Sequence, residues 1–417
     1  MRNRVGDAIA PRRLGSDFRR LLASSWVSNF GDGLAVAAGP LLIASETRDP
    51  FLVALSALLR FLPWLLFGLI AGAVADRVDR KRIVVAVDLA RAVVLAVLCI
   101  ALATGSASIA LVLVSIFLVA TAEVFADTTS QTLLPMVVER DDLPIGNARL
   151  SVGVIGVNQL IGPPIGAALF ALGRSAPFLG QAILVAAGAG LVARIAASTS
   201  PTPREPGRMR QDIAEGASWV LHHPAVRTLV LTIVMFNITF GAMWSILVLW
   251  ARDRLGLHEV GFGLLLAMSA AGSVLGGMAY GPITRRFRLS TLMRAGLVFE
   301  TLTHLALALT TVAWLALVIM FLFGIHAMVW GTTSTSIRQQ SVPADLQGRV
   351  NGVNNLGVYG SMVLGSAIGG VLAQQWGVTA PFWFAFAGSA VFVVVLWRQL
   401  AHIAHDEGVT SSPALHA

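Results

Sequence analysis

Lysine and cysteine are nearly missing from this sequence, and charge of either sign is scarce. Lys81 is the one lysine; the other basic residues are arginines. A phosphate-cradling loop of the G-x-x-x-x-G-K-[ST] type needs a lysine inside a glycine-rich turn, which Lys81 does not provide, so ATP hydrolysis within the chain is excluded. A dinucleotide fingerprint is likewise lacking. With Cys99 as the single cysteine, no intramolecular disulfide can form. The histidines at His222-His223 and at His402 and His405 come without cysteine or convergent carboxylate spacing, so no metal site and no cofactor are expected. Charged residues make up 12% of the chain, against roughly 25% in soluble globular proteins.

That deficit of charge is concentrated in runs. Hydrophobic residues reach 56% and mean hydropathy is +0.76. Apolar stretches of about 18 residues or more recur along the chain, each able to cross ~30 Å of hydrocarbon. In a bilayer only helices or closed barrels satisfy the backbone, and these runs are continuous rather than alternating. The expectation is an all-α membrane protein of twelve spans, placed near 21–45, 51–74, 83–104, 107–130, 146–171, 176–197, 226–250, 259–283, 291–311, 313–336, 350–375 and 378–400. The basic, polar segment before the first span has no short apolar core with a cleavage site, so the first helix is expected to be retained.

The net charge of +8 is read as topology, not as affinity for nucleic acid. Arg2, Arg4, Arg12, Arg13, Arg19 and Arg20 precede the first span. Arg77, Arg80, Lys81 and Arg82 follow the second, and Arg285, Arg286 and Arg288 follow the eighth. The opposite loops hold only Arg48, Arg174, Arg252 and Arg254. By the positive-inside rule both termini are cytoplasmic.

A Pro/Ser/Arg linker divides the chain and runs into an amphipathic segment with Ile213, Ala217 and Val220 on one face. The expected organisation is a cytoplasmic segment 1–20, a six-helix bundle 21–197, a linker 198–225, a second bundle 226–400 and a tail 401–417. The halves echo one another: Gly162-Pro163-Pro164-Ile165-Gly166 in span 5 matches Gly365-Ser366-Ala367-Ile368-Gly369 in span 11. Two parallel repeats of this kind form a clamp around a midplane cavity.

The segment Gly72 to Arg82, with Asp76, Arg77, Arg80 and Lys81, resembles the G-x-x-x-D-R-x-x-R-[KR] loop of the major facilitator superfamily. The resemblance extends over essentially the whole chain. It implies that this loop governs switching between inward- and outward-facing states, with Gly72 allowing close helix approach. Leu134-Pro135, Asp142-Leu143, Asn147-Ala148, Ile213-Ala214-Glu215-Gly216 with Trp219, and Gly348-Arg349-Val350 are similar to the macrolide- and siderophore-exporter branch. Gly156 with Gly162, Pro163 and Gly166 resembles the glycine-proline motif of antiporters, although Pro164 and Ala167 depart from it. The same glycines and proline also read as a plain packing and kink motif. The implied function is secondary, proton-coupled export of an amphipathic organic compound such as a drug, macrolide or siderophore. A nutrient importer or uniporter on the same fold, or a polytopic enzyme or sensor, are the alternatives. Expected partners are a small-molecule substrate, protons and lipid, around a monomer in the cell membrane.

Ionisable groups at mid-bilayer cost at least ~2.5–3.5 kcal/mol, so they mark candidate function. Asp32 and Arg60 fall near the centres of spans 1 and 2, and an Asp32–Arg60 ion pair is expected. It either offsets two desolvation costs or opens to let Asp32 carry a proton. Glu123 and Glu300 are further proton-coupling candidates. Asp88 and Arg91, one turn apart in span 3, read as a gate or support near the cytoplasmic end. Asn29, Asn158, Gln159, Asn237 and His326 are candidates for the cavity wall, with Trp244 and Trp330 as stacking platforms. Trp250, Trp314 and Trp376, near span ends, fit the interfacial belt.

Overall fold

The computed structural model describes residues 11–196 and 209–399. The basic residues Arg2 and Arg4, the linker 198–207, and His402 and His405 of the tail lie outside the described residues. Among those described, all regular structure is helical. The membrane helices are α1 (Gly15–Glu46), α2 (Pro50–Ala75), α3 (Arg80–Ala103), α4 (Ile109–Ser130), α5 (Arg140–Leu172), α6 (Ala176–Ala193), α7 (Pro224–Trp244), α8 (Glu259–Arg286), α9 (Leu289–Leu309), α10 (Ala313–Ser341), α11 (Gln347–Trp376) and α12 (Ala380–Leu396). The first eleven are long and apolar enough to cross a membrane, and α12, with 17 residues, is the shortest. At ~1.5 Å per residue it sits at the lower limit for a span.

Several starts are written locally. Asp49 caps α2, its side chain accepting from Phe51 N, with Pro50 at the first position. Asp79 caps α3 through Arg82 N, and Ser108 caps α4 through Leu111 N. Each satisfies an amide that the helix itself leaves open.

Two expected spans are broken. Span 7 ends at Trp244, and a separate short helix, Leu247–Leu255, follows it. Span 5 joins Leu143–Val152, a π-helical stretch Gly153–Ile161, and Gly162–Leu172. Pro163 and Pro164 lack the amides that would close turns onto the carbonyls of Gln159 and Leu160, so the rod is interrupted just there.

The helices form two bundles of six. In the first, α1 packs on α5 and α6, α3 on α4 and α6, and α2 on α4; in the second, α7 packs on α11 and α12, α8 on α10, and α9 on α10 and α12. The bundles meet along two seams, α2 with α11 and α5 with α8. The repeated glycines supply equivalent close contacts inside each bundle. A methyl group on Gly162 or Gly166 would lie 2.5 Å from Gly33 Cα or 2.1 Å from the Leu34 carbonyl oxygen, across the α1–α5 contact. On Gly365 or Gly369 it would lie 2.4 Å from the Ile238 or 2.2 Å from the Ala242 carbonyl oxygen, across α7–α11. Gly156 has no such neighbour and meets only its own Val152.

The two faces of the molecule differ. On the face carrying the 46–50 turn, one apolar core runs through both bundles, from Ala37 and Ile43 to Trp250, Phe262 and Phe382. There Arg252 Nη1 donates to the Ala44 carbonyl at 2.8 Å and Gln374 Nε2 to Asp49 Oδ1 at 3.4 Å, each from one bundle to the other. On the face carrying the 75–80 turn the cores are separate. One lies around Phe18, Leu21 and Leu134, and the others around Leu229, Met293 and Ile337 and around Val226 and Val350. The linker helix Met209–His222 docks only on this second bundle, Arg349 pairing with Asp212 at 2.9 Å and Glu215 at 2.7 Å. Gly216 is required there because a side chain would run into the Arg349 backbone at 2.8 Å.

Candidate functional site

The first bundle encloses a charged cluster. Arg91, 2% exposed, stands at the middle of α3 and bonds Asp32 of α1 through Nη2 and Asp88 of its own helix through Nη1 at 3.1 Å. Asp32 also accepts from Gln181 Nε2 of α6 at 3.1 Å. Both carboxylates are buried. Arg60 reaches Glu123 of α4 at 3.6 Å. Asp127, one turn beyond Glu123, has no ion-pair or hydrogen-bond partner among the described residues, and all four carboxylates act electrostatically on Arg91.

The expected Asp32–Arg60 pair is therefore not formed. Asp32 and Arg60 both stand near the middle of their helices, but pairing depends also on rotation about the helix axis. Asp32 faces α3 and α6, whereas Arg60 faces α4. Asp88 and Arg91, expected near the cytoplasmic end, lie deeper along their helix. Because α3 begins at Arg80, Arg91 is twelve residues into a 24-residue helix, at its centre.

Beside this cluster lies a cavity of about 120 Å³ between the bundles. Arg60, Gln181 and Ser115 supply its polar wall, and Val36, Leu98 and Trp244 part of its apolar wall. Trp244 stacks on Phe240 with centroids 5.2 Å apart, and Phe240 on Phe323 at 5.6 Å. Beyond them, His326 Nε2 lies 3.4 Å from Glu300 Oε2 within the second bundle. His304 is fully buried one turn from Glu300, beside the Ala385 backbone of α12.

The neutral candidates fall elsewhere. Asn158 Nδ2 donates to Asn29 Oδ1 at 3.4 Å, joining α5 to α1, and Asn29 in turn donates to the Ser25 carbonyl at 2.8 Å. Asn237 is bonded to its own helix through the Ile233 carbonyl at 2.7 Å, and Gln159 is exposed on the π-helical stretch. Trp330 packs against Gly296 and among Met293 and Leu297 in the second bundle's core. Trp250 is wholly buried and lies 4.8 Å from the Phe382 ring, so it does not belong to an interfacial belt, whereas Trp314 and Trp376 are both 66% exposed. Trp250 follows the break after Trp244, which turns the short helix inward across the top of the core.

The loop after α2 is tied to its own bundle. Asp76 closes α2 and lies 3.9 Å from Arg80. Arg80 Nε donates to the Ala75 carbonyl at 3.3 Å, and Lys81 Nζ to the Ile195 carbonyl at 2.8 Å. Arg77 is exposed. Gly72, expected at a close helix approach, has no neighbouring atom within 4 Å of where a Cβ would lie.

Comparison with known proteins agrees with this architecture. Residues 7–416 match the transmembrane secretion effector family. The multidrug efflux pump Tap of Mycolicibacterium fortuitum is 26% identical over 384 residues, covering 87% of this chain and 90% of that protein. Macrolide efflux protein A of Streptococcus pyogenes is 19% identical over 388 residues, covering 91% and 94%. Among solved structures, a bacterial homologue of the iron transporter ferroportin in an inward-facing state aligns with a TM-score of 0.71 at 16% identity, over 92% and 98% of the two chains. The nucleoside transporter NupG aligns with a TM-score of 0.70 at 12% identity, over 93% and 99%. These structures share the fold. The chain belongs to the transmembrane secretion effector family of the major facilitator superfamily: it is a multi-pass membrane transporter, not an enzyme, and it resembles the drug-exporter branch.

Proposed function

We propose that this transporter is a proton-coupled exporter of amphipathic organic compounds. It sits as a monomer in the cytoplasmic membrane with both termini inside, and works by alternating access of the cavity between the bundles. Export rests on the named efflux activities of the relatives, and orientation on the arginine-rich loops.

The observation that carries proton coupling is a surplus of carboxylates. Among the described residues, the cations that meet Asp32, Asp88, Glu123 and Asp127 are Arg91 and Arg60. Fully ionised, the cluster holds two negative charges more than its cations offset, and hydrocarbon penalises such a surplus. Protons are the smallest counter-charge able to enter, and a change in bundle contact that moves α1 against α3 alters how many are held. Asp32 and Glu123 are the proton carriers in this reading, with Arg91 and Arg60 as their switching partners. Glu300 with His326 is a further titratable pair in the second bundle, and Asp76, Arg80 and Lys81 set the 75–80 face for closure.

Wild-type protein in liposomes with an imposed pH gradient is expected to move a fluorescent dye against its own gradient. Asp32→Asn is expected to abolish that driven flux while equilibrium binding of the dye survives. Undiminished driven transport in Asp32→Asn removes Asp32 from the mechanism, and a wild type indifferent to the pH gradient overturns proton coupling.

A further inference from the structure

A second cavity, of about 310 Å³, opens toward the 75–80 face between α2, α4 and α11. Its wall is built differently from that of the first. Trp64 of α2 and Tyr359 of α11 are stacked across the bundle seam, with centroids 5.0 Å apart and planes inclined by only 13°. Gln131 and Thr128 of α4 and Asn355 of α11 add carboxamide and hydroxyl groups. Asp127 is one helical turn from Gln131, so the two share a face of α4. Asp127 directly precedes Thr128 of this lining, and Asp127 and Glu123 both act electrostatically on the Tyr359 hydroxyl.

The two cations of the first bundle's cluster are already engaged. Arg91 lies between Asp32 and Asp88, and Arg60 lies against Glu123. Asp127 is left as a carboxylate without an ion-pair partner among the described residues, on a helix that lines the same cavity as Trp64 and Tyr359. A positive charge gains from both: Coulomb attraction to the carboxylate, and attraction to the ring faces that is strongest where water is excluded. An anion would meet repulsion from Asp127 and Glu123.

We propose that this cavity is the headgroup subsite of the transporter and takes the positively charged end of an amphipathic substrate. Asp127 supplies the counter-charge and Trp64 with Tyr359 the stacking surface, while the apolar body extends toward the Leu98 and Trp244 cavity. The proposal rests on the transporter reading but not on proton coupling. A ligand seated here touches α2 and α4 of one bundle and α11 of the other. Its binding is therefore felt directly at the seam along which the bundles must move.

The test is equilibrium binding to the detergent-solubilised full chain, with no gradient present. Tetraphenylphosphonium is the cationic probe, and its isosteric anion tetraphenylborate is the charge control. Wild type is expected to bind the phosphonium saturably and in preference to the borate. Asp127→Asn is expected to weaken phosphonium binding about tenfold or more without weakening borate binding, and Asp127→Glu to restore most of the loss. Tyr359→Ala, on the other bundle, is expected to weaken the phosphonium as well, and covers the case that Asp127→Asn does not fold. Equal affinity for the two ions, no saturable phosphonium binding, or an Asp127→Asn protein that binds the phosphonium as wild type does would each overturn the proposal. Driven flux in liposomes is read separately. Loss of gradient dependence with this binding pattern intact sinks the proton-coupled reading and leaves the subsite standing.

Discussion

A guanidinium at the middle of a membrane helix is costly unless anions meet it, and Arg91 meets two. Removing the cation while keeping both carboxylates leaves buried charge uncompensated, a change that costs about 3–5 kcal/mol in comparable buried pairs. Arg91→Met is therefore expected to lose most of its folded yield. The double variant Asp88→Asn with Arg91→Met is expected to recover part of it, as followed by size-exclusion profile and thermal denaturation in detergent. If the second substitution brings no recovery, the Arg91–Asp88 contact is not what holds α3 in place. The residue types at this site were legible in the sequence, since charge at mid-span stands out against an apolar background. The pairing was not legible. Hydropathy gives the depth of Asp32 and Arg60 but not the direction each faces, and that direction follows from α1 packing on α5 and α6 far more than on α2. The helix start was misplaced for a related reason. Arg80 to Arg82 look like a cytoplasmic fringe, yet Asp79 caps the helix before them, which moves Arg91 to the centre.

At the scale of elements, the glycine repeat was legible because its physics is local to two helices. Gly162 and Gly166 seat α5 on α1, and Gly365 and Gly369 seat α11 on α7, each against backbone that cannot move aside. Gly166→Val and Gly369→Val are each expected to destabilise by about 1–3 kcal/mol or more, the usual cost of overpacking. Gly72→Val, where the added side chain meets nothing, is expected to leave stability unchanged. Thermal denaturation of the three purified variants checks both halves of this contrast, and a Gly166→Val protein as stable as wild type would show that α5 is not fixed by this contact. The same glycine-proline segment also hid a feature. Gly153–Ile161 reads as ordinary apolar helix, and only the two missing proline amides account for its widened turns. The linker offers the opposite case. Glu215-Gly216 and Gly348-Arg349 are far apart in sequence and looked like unrelated motifs, yet they are two sides of one contact.

For the whole molecule, what matters is that the bundles share a core on the 46–50 face and keep separate cores on the 75–80 face. Sequence could not supply this, because each bundle's inner surface is apolar whichever way the clamp is tilted. An alternating transporter must break the shared core in each cycle, so a covalent bond across it should stop transport without unfolding either bundle. Gly370 and Ala54 offer the place: a methyl group on Gly370 would lie 2.8 Å from Ala54 Cβ, across the α2–α11 seam. Bridged cysteines need Cβ atoms about 3.5–4.5 Å apart, so the two helices must part slightly at this point to hold the bond. The only native thiol, Cys99, is 9% exposed, so background reaction is small. The Ala54→Cys with Gly370→Cys protein, oxidised in liposomes, is expected to lose more than ninety per cent, roughly tenfold (about 1.4 kcal/mol in apparent barrier), of its transport and to regain it on reduction. In the oxidised protein a cysteine introduced at Gly72 should stay open to a polar maleimide, since nothing lies within 4 Å of its side-chain position. Transport that continues under full cross-linking would mean that the α2–α11 seam stays closed throughout the cycle, and that substrate leaves by another route.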